Sequence, residues 1–211
     1  KKRSLAAAQP VAWAWYLVAG AAVVVALFGL RTITTGTFWS HLATGRSIAA
    51  HGLPKINELT FLAHGSPWIA HNWLYDSLLY RCWQLGGAPL VVLLHVLAVL
   101  ASYLLLLPLA RRWASPTSLA GALLLGAWLL SFQFTVTPVI FSLLFPAFML
   151  YLLGRVRQPA VLWPSVLVTQ WLWINMDPSA LLGPILLAVS SLQPPARPED
   201  PASQPQTREQ K

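Results

Sequence analysis

Outside its C-terminal tail this sequence has few side chains able to move a proton or hold a cation, and most fall in one stretch. His41, His51, His64 and His71 lie there with Glu58 and Asp76, and Asp177 follows a hundred residues later. An imidazole near neutrality can act as a base, bind phosphate or ligate a metal; the plainer reading for all four is hydrogen bonding at a membrane surface. No pair of them has the H-x-x-x-H spacing of a helical metal site. Asn72 and Asp76 are four residues apart, so on a helix they share a face, with His71 close to it. Asp177 can serve a site beside Asp76, or it can cap the segment that Pro178 begins. Glu58 follows Lys55 closely, and an exposed pair of that kind contributes little.

The elements that must position these groups are membrane helices. Of 211 residues 56% are hydrophobic and 9% charged, with mean hydropathy +0.60, against roughly 25% charged in an average soluble domain. Six apolar segments are separated by turn residues: Pro10 to Leu30, Pro89 to Leu109, Leu119 to Phe132, Val139 to Leu153, Ala160 to Ile174 and Ala180 to Leu192. The last four are short for a span of about 20 residues. Their continuous apolar character argues for helices and against a barrel of alternating strands. The first segment is too long for the core of a signal peptide and no small-x-small cleavage site follows it. The expected fold is therefore an all-α polytopic membrane protein of about six transmembrane helices. Residues 1–192 form the membrane domain, with an external loop at about 31–88, and 193–211, rich in proline and polar residues, form a disordered cytoplasmic tail or linker.

Charge orients the set. With a cytoplasmic N-terminus, Lys1, Lys2, Arg3, Arg111, Arg112, Arg155 and Arg157 face the cytoplasm, against Arg31, Arg46, Lys55 and Arg81 outside, as the positive-inside tendency requires. Glu58, Asp76 and Asp177 then all fall on the outer side. The net charge of +8 does not point to nucleic acid, because the basic residues sit at helix ends and not within a binding motif. The single cysteine, Cys82, excludes an intrachain disulfide and a cysteine-pair metal motif.

Within the external loop two helical stripes are expected. Residues 38–50 carry Phe38, Leu42, Ala43, Ile48 and Ala49. Residues 68–83 carry Trp68, Trp73, Leu74, Leu78, Leu79 and Trp83. Both suit the membrane interface, where tryptophan buries its ring and keeps its N–H bonded. Gly52 and Pro54 break the first helix. In the second apolar segment His95 stands alone in VVLLHVLAVL. An imidazole there is a functional candidate by default, with ligation of a haem or chlorophyll as the sharp reading and a bond to a neighbouring helix as the plain one.

The stretches FWSHLATGRSIAAHGLP, PWIAHNWL, TPVIFSLLFPAFMLYLLGRVRQ and WLWINMDPSALLG occur in an order that resembles bacterial polytopic membrane proteins related to GT-C type glycosyltransferases. The likeness covers roughly Phe38 to Leu187. It implies transfer of a sugar from a polyprenyl-phosphate donor at the outer face of the bacterial inner membrane, with an acidic residue of the first external loop as base or metal ligand. The family's aspartate ahead of the tryptophan-histidine element is absent: Thr34, Thr35, Gly36 and Thr37 stand there. Asp76 and Asp177 would have to replace it, approaching each other beside His41 and His71 as the catalytic group. Two carboxylates held close call for a divalent cation or a raised pKa. Arg46 and Lys55 would meet phosphate, and Trp39, Trp73 and Asn175 would contact substrate. The alternative is a non-catalytic subunit of a membrane complex that uses the same helices for packing against lipid and other subunits. A transporter is disfavoured by spans with almost no charge and no paired repeat.

Overall fold

The computed structural model describes residues 13–57 and 62–192; Glu58, the basic N-terminus and the C-terminal tail lie outside the described residues. The fold is all-helical: α1 (Trp13–Gly29), α2 (Gly36–His51), α3 (Trp73–Leu104), α4 (Leu107–Ala110), α5 (Pro116–Leu130), α6 (Phe141–Arg155), α7 (Pro159–Met176) and α8 (Leu182–Ser191). Short 3-10 turns at Ser131–Gln133 and Pro138–Ile140 lie between α5 and α6, and one at Pro178–Leu181 lies between α7 and α8. The described residues contain no strand, only one antiparallel bridge between Ile56 and Pro67.

Within the described residues each of the six apolar segments is helical over most of its length. Three stretches, Trp73–Ala110, Pro116–Gln133 and Pro138–Arg155, are long and apolar enough to cross a membrane, while Trp13–Gly29 and Pro178–Ser191 are shorter apolar helices. Leu93 and Leu97 of α3, Leu125 and Trp128 of α5, and Leu167, Val168 and Trp171 of α7 are exposed. Apolar faces that broad suit a lipid environment.

Proline and polar caps set the helix starts. Pro116 follows Ser115, whose hydroxyl accepts from the Ser118 amide, and Pro159 opens α7; proline at the first helical position is pre-shaped and gives up a donor with no partner anyway. Gly52, at φ 82°, ends α2 and donates its amide to Ile48, as glycine at a helix end can without steric cost. The chain then runs as a short ladder: the Asn57 amide donates to Ser66 at 2.8 Å and that of Trp68 to Lys55 at 3.0 Å. That ladder corrects one expectation, since the second loop helix begins at Trp73 and not at Trp68.

The helix also does not stop near Trp83. It continues to Gly87, whose φ of 59° and ψ of −153° break the helical path ahead of Pro89. Glycine alone tolerates that conformation readily. The polar first part of α3 is thereby set apart from the apolar part that follows.

Contacts sort the connections to two ends of the bundle. Arg31 donates to the Ser131 carbonyl at 2.9 Å, Trp73 to Asn175 at 2.7 Å and Ser142 to Asp177 at 2.9 Å, so residues after α1, before α6 and after α7 share one end. At the other end Gly154 lies against Leu109, beside Arg111, Arg112, Arg155 and Arg157. Between them, Val25, Val99, Leu123, Ala127 and Phe134 form one buried cluster. Phe38, Tyr75, Phe145 and Trp173 anchor a second beneath the loop helices.

Candidate functional site

The feature that sets the site is a crossing of α2 over the start of α3. A Cβ added at Gly45 would overlap the Asp76 carbonyl oxygen and come within 2.8 Å of Tyr80 Cβ; only glycine lets the backbones approach that closely. His41 lies one turn before Gly45 on α2, so the crossing brings its ring over Asp76. The two meet at 2.6 Å, His41 Nδ1 to Asp76 Oδ1.

Burial divides the pair. The Asp76 side chain is 5% exposed and that of His41 17%. A carboxylate so placed is costly unless bonded, and His41 supplies the bond; the first turn of a helix also favours negative charge. Tyr75 stands edge-on to the His41 ring, with centroids 5.3 Å apart. With Nδ1–H donated to Asp76, Nε2 keeps its lone pair. This is the arrangement in which a buried carboxylate orients an imidazole so that the other nitrogen can take a proton.

His41 and Asp76 line a cavity of about 340 Å³ with Ser40, Thr44, Asn57, Trp68, His71 and Asn72 among its walls. Asn72 Oδ1 is buried there with no partner among the described residues. Of the residues expected from the sequence, the structure thus joins His41, His71 and Asp76. Thr44, Gly45 and Tyr75 were not singled out from the sequence, although a glycine one turn after a histidine is a signal that a close helix crossing would leave.

The other expected residues go elsewhere. Asp177 is buried, 4% exposed, and does not line this cavity. Its Oδ1 accepts from Ser142 Oγ at 2.9 Å, from the Ser179 amide at 2.9 Å and from Ser179 Oγ. It caps the turn that starts at Pro178. Trp73 and Asn175 bond each other at 2.7 Å, with the Asn175 amide returned to Trp171, so they tie α3 to α7. Trp39 is half exposed and packs against Phe38 and Trp83, at 5.1 Å and 5.6 Å between centroids. Arg46 is exposed. Lys55 is also exposed and borders an adjoining cavity with Trp68 and Trp73. Thr34 and Thr35 line a separate cavity of about 270 Å³ with Arg31.

Among the described residues no group of three or more His, Cys, Asp or Glu side chains could hold a metal ion. No family model, curated protein or solved structure matches the chain.

Proposed function

We propose that the chain is a multi-pass protein of the bacterial inner membrane that transfers a sugar from a polyprenyl-phosphate donor, with the His41–Asp76 pair as general base. The observation that carries this reading is the 2.6 Å contact at the wall of an open cavity. His41 Nε2 takes the proton of an acceptor hydroxyl as that oxygen bonds the sugar's anomeric carbon, and the lipid phosphate leaves with the electron pair of the broken bond. Asp76 holds the ring and stabilises the imidazolium that forms. Lys55, which borders the adjoining cavity, is the cation offered to the phosphate. The GT-C resemblance supplies the donor class; the base is displaced from that family's usual aspartate to this pair. Transfer assayed in proteoliposomes with polyprenyl-phosphate sugars tests it, and a His41→Gln protein that keeps the parental rate would remove the base.

Six spans with a cytoplasmic N-terminus place this cavity on the outer face. The charge distribution supports that orientation, with Arg111, Arg112, Arg155 and Arg157 at the opposite end. In a Cys82→Ser background, an impermeant thiol reagent added from outside is expected to modify Ser66→Cys and leave Ser115→Cys unlabelled. The reverse pattern inverts the topology.

A second reading is a non-catalytic subunit of a membrane complex. It is favoured by Trp73, Asn175 and Asp177, polar groups that are spent on tying helices together. Absence of transfer with any polyprenyl-phosphate sugar, in a chain recovered with fixed membrane partners, selects it.

A further inference from the structure

Two cavities meet at one stretch of chain. The cavity of about 340 Å³ that holds His41 and Asp76 adjoins one of about 390 Å³, and Trp68, Ile69 and Ala70 line both. His41 lines only the smaller and Lys55 only the larger. A sugar phosphate that brings its charge to Lys55 and its reacting carbon to His41 therefore crosses this shared wall. Trp73 is not on that path: it lines only the Lys55 cavity and spends its N–H on Asn175.

Backbone bonds fix the wall before any ligand arrives. Ile56 pairs with Pro67, and the Trp68 amide donates to Lys55 at 3.0 Å, so Trp68 and Lys55 stand opposite one another on the ladder. Pro54 and Pro67, with their fixed φ, stiffen it further. Trp68 is half-buried and has only two side-chain torsions to order, so setting its ring against a ligand costs little. The rim on the His41 side is made of acceptors. With Nδ1–H given to Asp76, His41 Nε2 accepts. The exposed Ser40 donates its hydroxyl proton to the Thr37 carbonyl at 2.8 Å, so its oxygen accepts as well. Acceptors beside an aromatic wall match a pyranose, whose C–H face packs on an indole while its rim carries O–H donors.

We propose that Trp68 is the sugar platform: the pyranose ring of the donor stacks on its indole, with the phosphate at Lys55 and the anomeric carbon on the His41 side. This rests on the transfer reading above and adds to it the residue that holds the sugar.

The probes are farnesyl phosphate and its glucosyl, mannosyl and galactosyl esters, which present a lipid phosphate without and with the ring. The full chain in lipid nanodiscs receives a brief pulse of hydroxyl radicals, and oxidation of the peptide that carries Trp68 is followed by mass spectrometry. At a concentration about fourfold above its dissociation constant, at least one sugar ester is expected to slow oxidation of Trp68 about fivefold, by mass action. Farnesyl phosphate leaves the rate unchanged. Trp68→Leu should weaken binding of that ester about tenfold and leave binding of farnesyl phosphate at the parental value, whereas Trp68→Phe, which keeps a ring, should lose less. Equal protection by farnesyl phosphate, protection by none of the four probes, or a Trp68 that never oxidises would each overturn the proposal. These outcomes are read in the parent chain even if Trp68→Leu fails to fold. Protection by a sugar ester in a chain that transfers no sugar would remove the His41 base and leave the platform standing; transfer with Trp68 unprotected would remove the platform and leave the base.

Discussion

Asp76 and Asp177 are buried to the same degree, each 4% exposed, yet their surroundings give them different work. Asp177 faces donors that do not titrate near neutrality: two serine hydroxyls and an amide at the start of a turn. Everything it bonds is fixed structure. Asp76 faces one imidazole that is partly open to a cavity, so its charge is coupled to a group that can gain and lose a proton. Burial alone does not mark a working carboxylate; the chemistry and exposure of its partner do.

Substitutions should pull the two regions apart. The largest effect is expected at His41: His41→Gln should lower transfer by about 10²- to 10⁴-fold, the usual contribution of general acid–base catalysis, with the helical content measured by circular dichroism unchanged. Gly45→Ala should act through the crossing itself. The added Cβ meets backbone at Asp76 and should cost about 3 kcal/mol, the upper part of the range for overpacking. A reversible denaturation series in mixed micelles would measure it, and an unchanged midpoint would show that α2 and α3 are not in close contact. Asp177→Ala strands three donors and removes a cap, for about 2 kcal/mol, whereas Asp177→Asn keeps an acceptor and should lose less. Trp73→Phe is the mildest, about 1 kcal/mol for one hydrogen bond; a loss of transfer larger than its loss of stability would return Trp73 to the substrate.

Much of the scaffold was legible. The apolar runs located the helices, and the stripe of Phe38, Leu42 and Ile48, stopped by Gly52 and Pro54, gave α2 almost to the residue. The start of the second apolar segment at Pro89 marked where the apolar part of α3 begins, two residues after the break at Gly87, which no sequence signal had singled out. The start of α3 misled, because Trp68 extends the aromatic stripe of the helix. Its amide instead pairs with Lys55 across a ladder, a contact invisible to periodicity. His41 and Asp76 were both legible as candidates, but their pairing depends on a helix crossing that local pattern does not encode. Asp177 was grouped with Asp76 because topology put the acids on one side. A shared side is a coarse coordinate, and Ser142 and Ser179, which hold Asp177, carry no signal until the chain is folded.

The central claim, that the working carboxylate is Asp76, is tested most directly by one rate ratio. Sugar transfer from a polyprenyl-phosphate donor is measured in proteoliposomes for Asp76→Asn and Asp177→Asn beside the parent, at matched amounts of folded protein. Asp76→Asn leaves an amide where His41 needs a carboxylate, and its rate should fall by about 10²-fold or more while Asp177→Asn stays near the parental rate. A parent whose activity survives Asp76→Asn, or falls equally with Asp177→Asn, would contradict the account.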